Sequence, residues 1–137
     1  MKKILYAIVF AVSTTFFLTG CAGSQETNIT GLWKITDYKT DLKIDETMKD
    51  EYEKIIEETK EKSSFEFFAD KTFSQTVQGV TKKGTWEILG EDLQLKQIFD
   101  GNKILLSKIQ SVSDSELVIA QKDEHSGSTV VLTLKKQ

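Results

Sequence analysis

Few side chains in this chain could carry out chemistry. Its 137 residues include one cysteine and one histidine. His125 stands among acidic and serine residues in the segment 123–126, so a metal site or catalytic triad would need partners from distant parts of the sequence. The paired acids Glu91 and Asp92 fall in an expected hairpin turn, where solvated carboxylates are usual. Glycine-rich phosphate loops and zinc-ligand spacings are absent from the sequence. We therefore predict that the protein is not an enzyme and uses no metal or cofactor.

Cys21 is the one residue with a specific chemical expectation. It is preceded by Leu-Thr-Gly, by an apolar stretch over residues 4–18, and by lysines at positions 2 and 3. This arrangement resembles the signal of a bacterial lipoprotein, which is cut before the cysteine and leaves a lipid-bearing N-terminus. The apolar stretch is also shorter than the ~20 residues that a spanning helix needs. We predict a signal peptide over residues 1–20 and fatty acyl chains, such as palmitate, on Cys21.

Charge and composition exclude several classes of protein. The formal net charge is −3 and every basic residue is a lysine. A nucleic-acid-binding protein needs a basic patch that neutralises phosphates, so we expect no nucleic acid partner. With its single cysteine assigned to lipid, the chain can form no internal disulfide. We predict a lipidated cysteine and flexible tether over 21–29, because Ala22–Asn28 is small and polar, and one folded domain over 30–137.

The pattern after Thr30 is typical of β-structure. Short runs rich in β-branched and aromatic residues are separated by turn residues at spacings of about ten. Within a run, alternate residues such as Leu93, Leu95 and Phe99 share one face. A flat sheet of eight hairpin-connected strands would expose its edges and its apolar face, whereas a closed barrel hides both. We predict an all-β fold, an eight-stranded antiparallel up-and-down barrel. Its strands are expected at Gly31–Asp41, Ser64–Ala69, Thr72–Val80, Lys83–Leu89, Asp92–Phe99, Lys103–Val112, Glu116–Lys122 and Thr129–Lys136.

One α-helix is expected between the first two strands, over Asp45–Ser63. Asp45 can cap its first turn. An apolar stripe at helical spacing runs along it and must pack on other apolar groups. The helix could form a lid over an open end of the barrel, or it could pack against the outer wall. The stripe consists of Met48, Tyr52, Ile55 and Ile56.

Short motifs give the chain a family resemblance. Gly31-Leu32-Trp33 opens the first expected strand, and a second glycine and tryptophan recur in Gly84-Thr85-Trp86-Glu87-Ile88. A hairpin sequence, Phe67-Phe68-Ala69-Asp70-Lys71-Thr72-Phe73, precedes the second pair. Together they resemble the small lipocalin-like domains carried by bacterial lipoproteins.

The resemblance implies roles for particular residues. In lipocalins the first-strand tryptophan packs across the closed end of the barrel, often under an arginine from the last strand. Trp33 would then be the barrel floor, and because this chain has no arginine, its cover would be Lys135 or Lys136. Ala22 differs from the aspartate that often retains lipoproteins at an inner membrane. We expect an envelope protein anchored by lipid, at the outer membrane if the cell has two.

Two functions are compatible with these observations. The barrel could bind a small apolar or amphipathic ligand, with inward-facing apolar residues as its lining. Alternatively, its interior could be packed solid, and the helix or outer surface would bind another envelope protein, as an accessory or inhibitory lipoprotein does. The candidate lining residues are Phe65, Phe67, Phe73, Trp86, Leu95 and Phe99.

Overall fold

The fold is an antiparallel β-barrel closed by pairing of the first and last strands, as the sequence predicts. The computed structural model describes residues 22–90 and 92–137, with residues 22–25 described by their backbone alone. Strand order around the barrel follows the chain from β1 to β8. The elements are α1 (Ala22–Ile29), β1 (Gly31–Thr40), a 3₁₀ turn (Glu46–Met48), α2 (Lys49–Lys62), β2 (Ser64–Phe67), β3 (Thr72–Val77), β4 (Val80–Leu89), β5 (Gln94–Phe99), β6 (Ile104–Val112), β7 (Glu116–Lys122) and β8 (Thr129–Lys136).

The closing ladder joins the two ends of the chain. Strand β1 pairs with β8 from Trp33↔Lys136 to Thr40↔Val130, with a register shift between Ile35 and Asp37. Such a bulge bends a strand and increases its twist, which helps a sheet curve into a barrel. Every strand is thereby paired on both sides, so the described ladder has no free edge.

The antiparallel order gives the barrel two different ends. One end, called the closed end here, carries α1 and the β2–β3, β4–β5 and β6–β7 connections. The other, called the open end, carries α2 and the β3–β4, β5–β6 and β7–β8 connections. Sequence analysis missed the β3–β4 turn, which lies at Gln78-Gly79 with positive φ angles of 50° and 81°. Two such angles are typical of the tight two-residue hairpin turn, so β4 begins earlier than expected.

Helix α1 corrects the prediction of a flexible tether. Residues Ala22–Ile29 form a helix that docks on the closed end. The side chain of Ile29 is fully buried in the core, and Glu26 forms an ion pair of 2.6 Å with Lys71. The composition of the segment does not predict this outcome, because its contacts with the barrel involve one buried apolar side chain, one ion pair and backbone carbonyls.

Helix α2 forms where the sequence predicts, and Asp45 accepts a hydrogen bond of 3.0 Å from the Thr47 backbone N–H at its start. The predicted apolar stripe is wrong in part, because Met48 and Ile55 remain 58% and 46% exposed. Neither described helix has the length and apolar character required to cross a membrane.

The face of α2 that packs is rotated from the predicted stripe. It follows Tyr52, Ile56 and Thr59 and ends at the fully buried Ser63. These positions follow the i, i+4, i+7, i+11 spacing of one helical face, which lies against β1 and β3. Two polar residues thus replace two apolar ones in the contact, which hydropathy alone does not predict.

Apolar side chains fill the closed half of the barrel. The Phe67 ring meets Trp86 nearly edge-on at 5.6 Å between ring centroids and lies 6.2 Å from Phe73. Leu95 is fully buried beside them in the same core. The described core draws on Ile29 and on strands from all sides of the barrel, so residues 22–137 contain both a closed ladder and its core. This segment therefore has what a domain requires to fold on its own.

Candidate functional site

A cavity of about 340 Å³ lies inside the open half of the barrel. It is bordered by residues from β1, β2, β3, β6, β7 and β8, by Thr59 of α2, and by the β7–β8 loop. Its volume falls at the lower end of the range for small-molecule sites. The lining residues are Ile35, Tyr38, Thr59, Phe65, Gln75, Val77, Lys103, Leu105, Gln121, Lys122, Asp123, Glu124, His125, Val130 and Leu132.

A larger pocket of about 1020 Å³ adjoins this cavity along the rim. It is bordered by residues of β3, β4, β5 and β6, and it shares Gln75, Val77, Lys103 and Leu105 with the cavity. We take the smaller cavity as the candidate site, because strands from opposite sides of the barrel surround it, whereas the larger pocket follows one side of the rim.

Hydrogen-bonding side chains cross the middle of the barrel beneath the cavity. Gln97 and Ser107 are fully buried, and the Gln97 amide nitrogen donates a 3.1 Å hydrogen bond to the Gln75 side-chain oxygen. Gln75 and Gln121 line the cavity itself. We call Gln75, Gln97, Ser107 and Gln121 the polar belt, which is unusual because a barrel core is ordinarily filled with apolar groups.

Charge is concentrated at the rim of the site. Lys103 borders both pockets and Lys82 borders the larger one. Neither lysine is among the ion pairs found within residues 22–90 and 92–137. The His125 and Ser126 backbone N–H groups donate to Asp123 and hold the pKa of that carboxyl below its usual value. Over the described residues, no group of three or more His, Cys, Asp or Glu side chains is placed to hold a metal ion.

Tyr38 lies at the junction of the cavity and the helix. Burial raises the pKa of its phenol to about 12, with further contributions from neighbouring Tyr52 and Asp123. The phenol is therefore protonated at physiological pH, and Tyr38 borders the cavity next to Tyr52 of α2.

The barrel sequence matches a known protein family. The model of the lipocalin-like domain family matches residues 29–119. The chain belongs to the lipocalin-like domain family. No curated protein has a sequence that matches this chain.

Two crystal structures resemble this lipocalin-like barrel. A DUF4847 family protein from Bacteroides vulgatus ATCC 8482 has 20% identity, covers 84% of this chain and 99% of its own, and gives a TM-score of 0.55. A lipocalin-like protein from Bacteroides uniformis ATCC 8492 has 15% identity, covers 80% of this chain and 99% of its own, and gives a TM-score of 0.51. At these identities the likeness supports the fold alone.

The lipocalin-like barrel divides the six candidate lining residues between two places. Phe65 lines the cavity and Phe99 lines the larger rim pocket. Neither space is bordered by the other four, which belong to the core and pack the closed half. Those four are Phe67, Phe73, Trp86 and Leu95.

Trp33 lies at the closed end of the lipocalin-like barrel, where the resemblance places a floor. Its indole N–H donates a 2.7 Å hydrogen bond to the Ile29 carbonyl, and its side chain is fully buried. The ammonium of Lys136 lies 4.9 Å from the ring centroid and donates to the Asn28 carbonyl at 2.8 Å. Of the two candidate lysines, Lys136 covers the tryptophan, because Lys135 is exposed.

Helix α2 of the lipocalin-like barrel lies at the open end. Its Thr59 accepts a 3.1 Å hydrogen bond from the Gln78 side chain in the β3–β4 turn, and Thr59 also borders the cavity. Of the two placements considered for the helix, over an open end or against the outer wall, the structure shows the first. We call the opening beside α2 the mouth of the barrel.

Sequence reasoning missed Gln97 and Ser107. A signal for Gln97 was present, because it alternates with Leu95 and Phe99 on the inward face of one strand. Ser107 alternates in the same way with Leu105 and Ile109. A polar residue at an inward position of an otherwise apolar strand is therefore the sequence signal that could have predicted the polar belt.

Proposed function

We propose that this protein is a lipid-anchored member of the lipocalin-like family that binds a small amphipathic molecule in the cavity at its open end. The cavity carries this proposal, because its wall combines apolar side chains such as Phe65 and Leu132 with hydrogen-bonding ones such as Gln75 and Tyr38. A wholly apolar molecule would leave the hydrogen-bonding groups unused, and a wholly polar one would not fill the apolar wall.

The packed interior of the closed half limits the positions that a ligand could occupy inside the barrel. Aromatic side chains fill that half, so a molecule inside the barrel must enter between α2 and the open-end turns. The rim carries charges of both signs, with Lys82 and Lys103 as well as Asp123 and Glu124, which favours a molecule with a strongly polar part outside the cavity.

Anchoring is the second part of the proposal. Cys21, the signal over 1–20 and the lipid lie outside the described residues. Helix α1 begins at Ala22 and docks on the closed end. An acyl chain on Cys21 would therefore hold the closed end near the membrane, in the cell envelope, and would leave the mouth accessible to water.

Ligand binding is tested on residues 22–137 with the fluorescent probe N-phenyl-1-naphthylamine. Leu105 lines the cavity and the adjoining rim pocket, whereas Leu106 faces outward on the same strand and is half exposed. We expect Leu105→Trp to fill the cavity and abolish the fluorescence increase seen with the wild-type protein. The control Leu106→Trp should bind the probe as the wild type does. Equal binding by both variants would place the probe outside the barrel and remove the basis of the proposal.

Anchoring is tested on the full chain in bacterial cells supplied with radiolabelled palmitate. We expect the wild-type protein to carry the label and to be found in the membrane fraction. The Cys21→Ser variant should carry no label. Labelled Cys21→Ser protein would contradict lipidation at this residue.

A different function has one observation in its favour. Met48 and Ile55 on α2 are largely exposed, and an apolar helix face is a common binding surface for another protein. In this alternative the chain is an accessory or inhibitory lipoprotein. Photo-crosslinking from position 48 in intact cells tests it, and one stoichiometric partner, lost when Ile55 is changed to Lys, would favour it over ligand binding.

A further inference from the structure

Two polar atoms inside the barrel have no hydrogen-bond partner among the described residues. They are the side-chain oxygens of Gln97 and Ser107, and both are buried. A buried polar group left unpaired costs about 1–3 kcal/mol. Native proteins usually meet that cost with water or a ligand.

We call these two unpaired atoms orphans. Gln97 has one unpaired polar atom whichever way its side-chain amide is oriented. As placed, its nitrogen donates to Gln75 and its oxygen is unpaired within the described part of the chain. Exchanging oxygen and nitrogen in both amides keeps the hydrogen bond between them and leaves the Gln97 nitrogen unpaired instead. In either arrangement one polar atom of this side chain requires a further partner.

Neither orphan borders the cavity itself, but each side chain lies one residue away from its lining. Gln97 is hydrogen-bonded to Gln75 and is the cross-strand partner of Leu105, and both of those residues line the cavity. Ser107 is the cross-strand partner of Gln121, which lines the cavity from β7.

We propose that the polar belt is a subsite for the neutral hydroxyl or amide end of an amphiphile, which enters the cavity first and hydrogen-bonds to Gln97 and Ser107. This inference rests on the proposed ligand-binding function and specifies its ligand class. A hydroxyl group suits the subsite, because it can donate to the Gln97 oxygen and accept from the Ser107 hydroxyl.

Charge excludes an ionised group from the same position. The buried polar side chains found in the described residues are Gln97, Ser107, Ser63 and Ser128, and none carries a charge. An ionised carboxylate at the belt would lose its hydration without gaining a counter-ion. The lysines that could pair with it lie at the rim, so fatty alcohols and related neutral amphiphiles fit the belt, and fatty acid anions do not.

The test compares 1-decanol with 1-chlorodecane, which has a similar chain but no hydroxyl. Both displace N-phenyl-1-naphthylamine from residues 22–137, and the ratio of their apparent affinities is measured in each variant. Decanoate at pH 8 is measured alongside them. The variants are Ser107→Ala, Gln97→Met as a second probe of the belt, and Ser111→Ala as an outward-facing control on the same strand.

We expect the affinity for 1-decanol relative to 1-chlorodecane to fall about fivefold in Ser107→Ala or Gln97→Met. That change corresponds to the loss of one net hydrogen bond. Ser111→Ala should keep the wild-type ratio, and decanoate should be insensitive to Ser107→Ala. A ratio that stays within about twofold of wild type in both belt variants overturns the inference and assigns the orphans to ordered water. Decanoate that loses affinity as decanol does overturns the neutral ligand class. Failure of the wild-type protein to bind the probe at all is a different result, since it overturns the proposed function before any alcohol is added.

Discussion

The two tryptophans share one arrangement. Each follows a glycine by two positions, each indole N–H donates to a backbone carbonyl, and each ring lies under a lysine ammonium. For Trp33 the lysine is Lys136 at 4.9 Å, and for Trp86 it is Lys71 at 4.4 Å. A lysine can stack its stem on an indole while its charge contacts carbonyl or carboxylate oxygens. At the closed end, lysine thus covers both tryptophan rings, and at Trp33 it takes the position where lipocalins often have arginine.

The glycines in these motifs have separate physical reasons. Gly31 has a φ of +136°, which a side chain would strain, and its Cα faces the stem of Lys136. Gly84 pairs with Phe73 and Phe99, and a Cβ there would collide with the Ile98 carbonyl oxygen. The second glycine thus lets β5 approach β4 closely next to the aromatic core.

Gly84→Ala tests this close approach. Because the collision is with backbone, which cannot rotate away, we expect the free energy of unfolding to fall by about 3 kcal/mol. Urea denaturation followed by tryptophan fluorescence measures it. Gly79→Ala is the control, since its Cβ meets no atom and only the positive φ costs energy, about 1 kcal/mol. Equal losses in the two variants would show that backbone crowding is not the reason for Gly84.

Tyr38 predicts a specific loss of stability at high pH. Its pKa is about 12 in the folded protein against 10.0 for the ordinary group. The folded state therefore keeps its proton more tightly, so this contribution is complete below pH 10 and declines as pH rises toward 12. Thermal unfolding from pH 9 to 12 should show a shallower decline for Tyr38→Phe than for wild type. Parallel declines would mean that the Tyr38 pKa is not raised.

Helix α1 is part of the folded domain rather than a linker. Its Ile29 carbonyl holds the Trp33 indole, its Asn28 carbonyl holds Lys136, and its Glu26 pairs with Lys71. The ion pair is partly exposed and contributes little by itself. Burial of Ile29 stabilises the docked helix more, because a fully buried aliphatic side chain contributes a few kcal/mol.

Ile29→Ala measures how firmly α1 is docked. We expect the free energy of unfolding to fall by about 3 kcal/mol, as for other buried isoleucine truncations. Ile104→Ala removes the same atoms from a half-exposed position on β6 and should cost well under 1 kcal/mol. If the two variants lose the same stability in urea denaturation, the segment 22–29 behaves as the tether that its composition suggests.

The barrel as a whole has two structurally different halves. The closed half is filled by aromatic and aliphatic side chains and carries α1. The open half contains the cavity, the helix α2 and the rim lysines. If the lipid is on Cys21, the half that contains the cavity is the one farther from the membrane.

This orientation can be measured on the lipidated full chain in vesicles. Since its only native cysteine is expected to carry lipid, a fluorophore can be attached at one new cysteine, Asp114→Cys at the closed end or Glu124→Cys at the open end. Spin-labelled lipid headgroups should quench the probe at 114 more strongly than the probe at 124. Equal or reversed quenching would contradict a mouth that faces water.

Much of the fold could be predicted because its signals are local. The alternation in the β8 residues Val130, Leu132 and Leu134 identifies a half-buried strand from a few neighbours, and the turn residues between runs imply hairpins. The boundary of β4 was missed because Gln78-Gly79 lacks the flanking polar residues that mark the other turns. The packed face of α2 was misplaced because it contains Thr59 and leads to Ser63, and the side chains of both residues accept hydrogen bonds from Gln78 in the β3–β4 turn.

The candidate site depends on quantities that no local pattern contains. An all-β chain with two Gly-x-Trp motifs and an inserted helix can be predicted, because those features arise from spacing along one segment. Spacing does not predict that Phe67, Phe73 and Trp86 fill one half of the barrel while Phe65 borders a cavity in the other. Nor does it predict that α1 docks or that the polar belt lies beneath the cavity. A cavity is the volume left over by side chains from strands far apart in sequence, so it exists only after the barrel has closed.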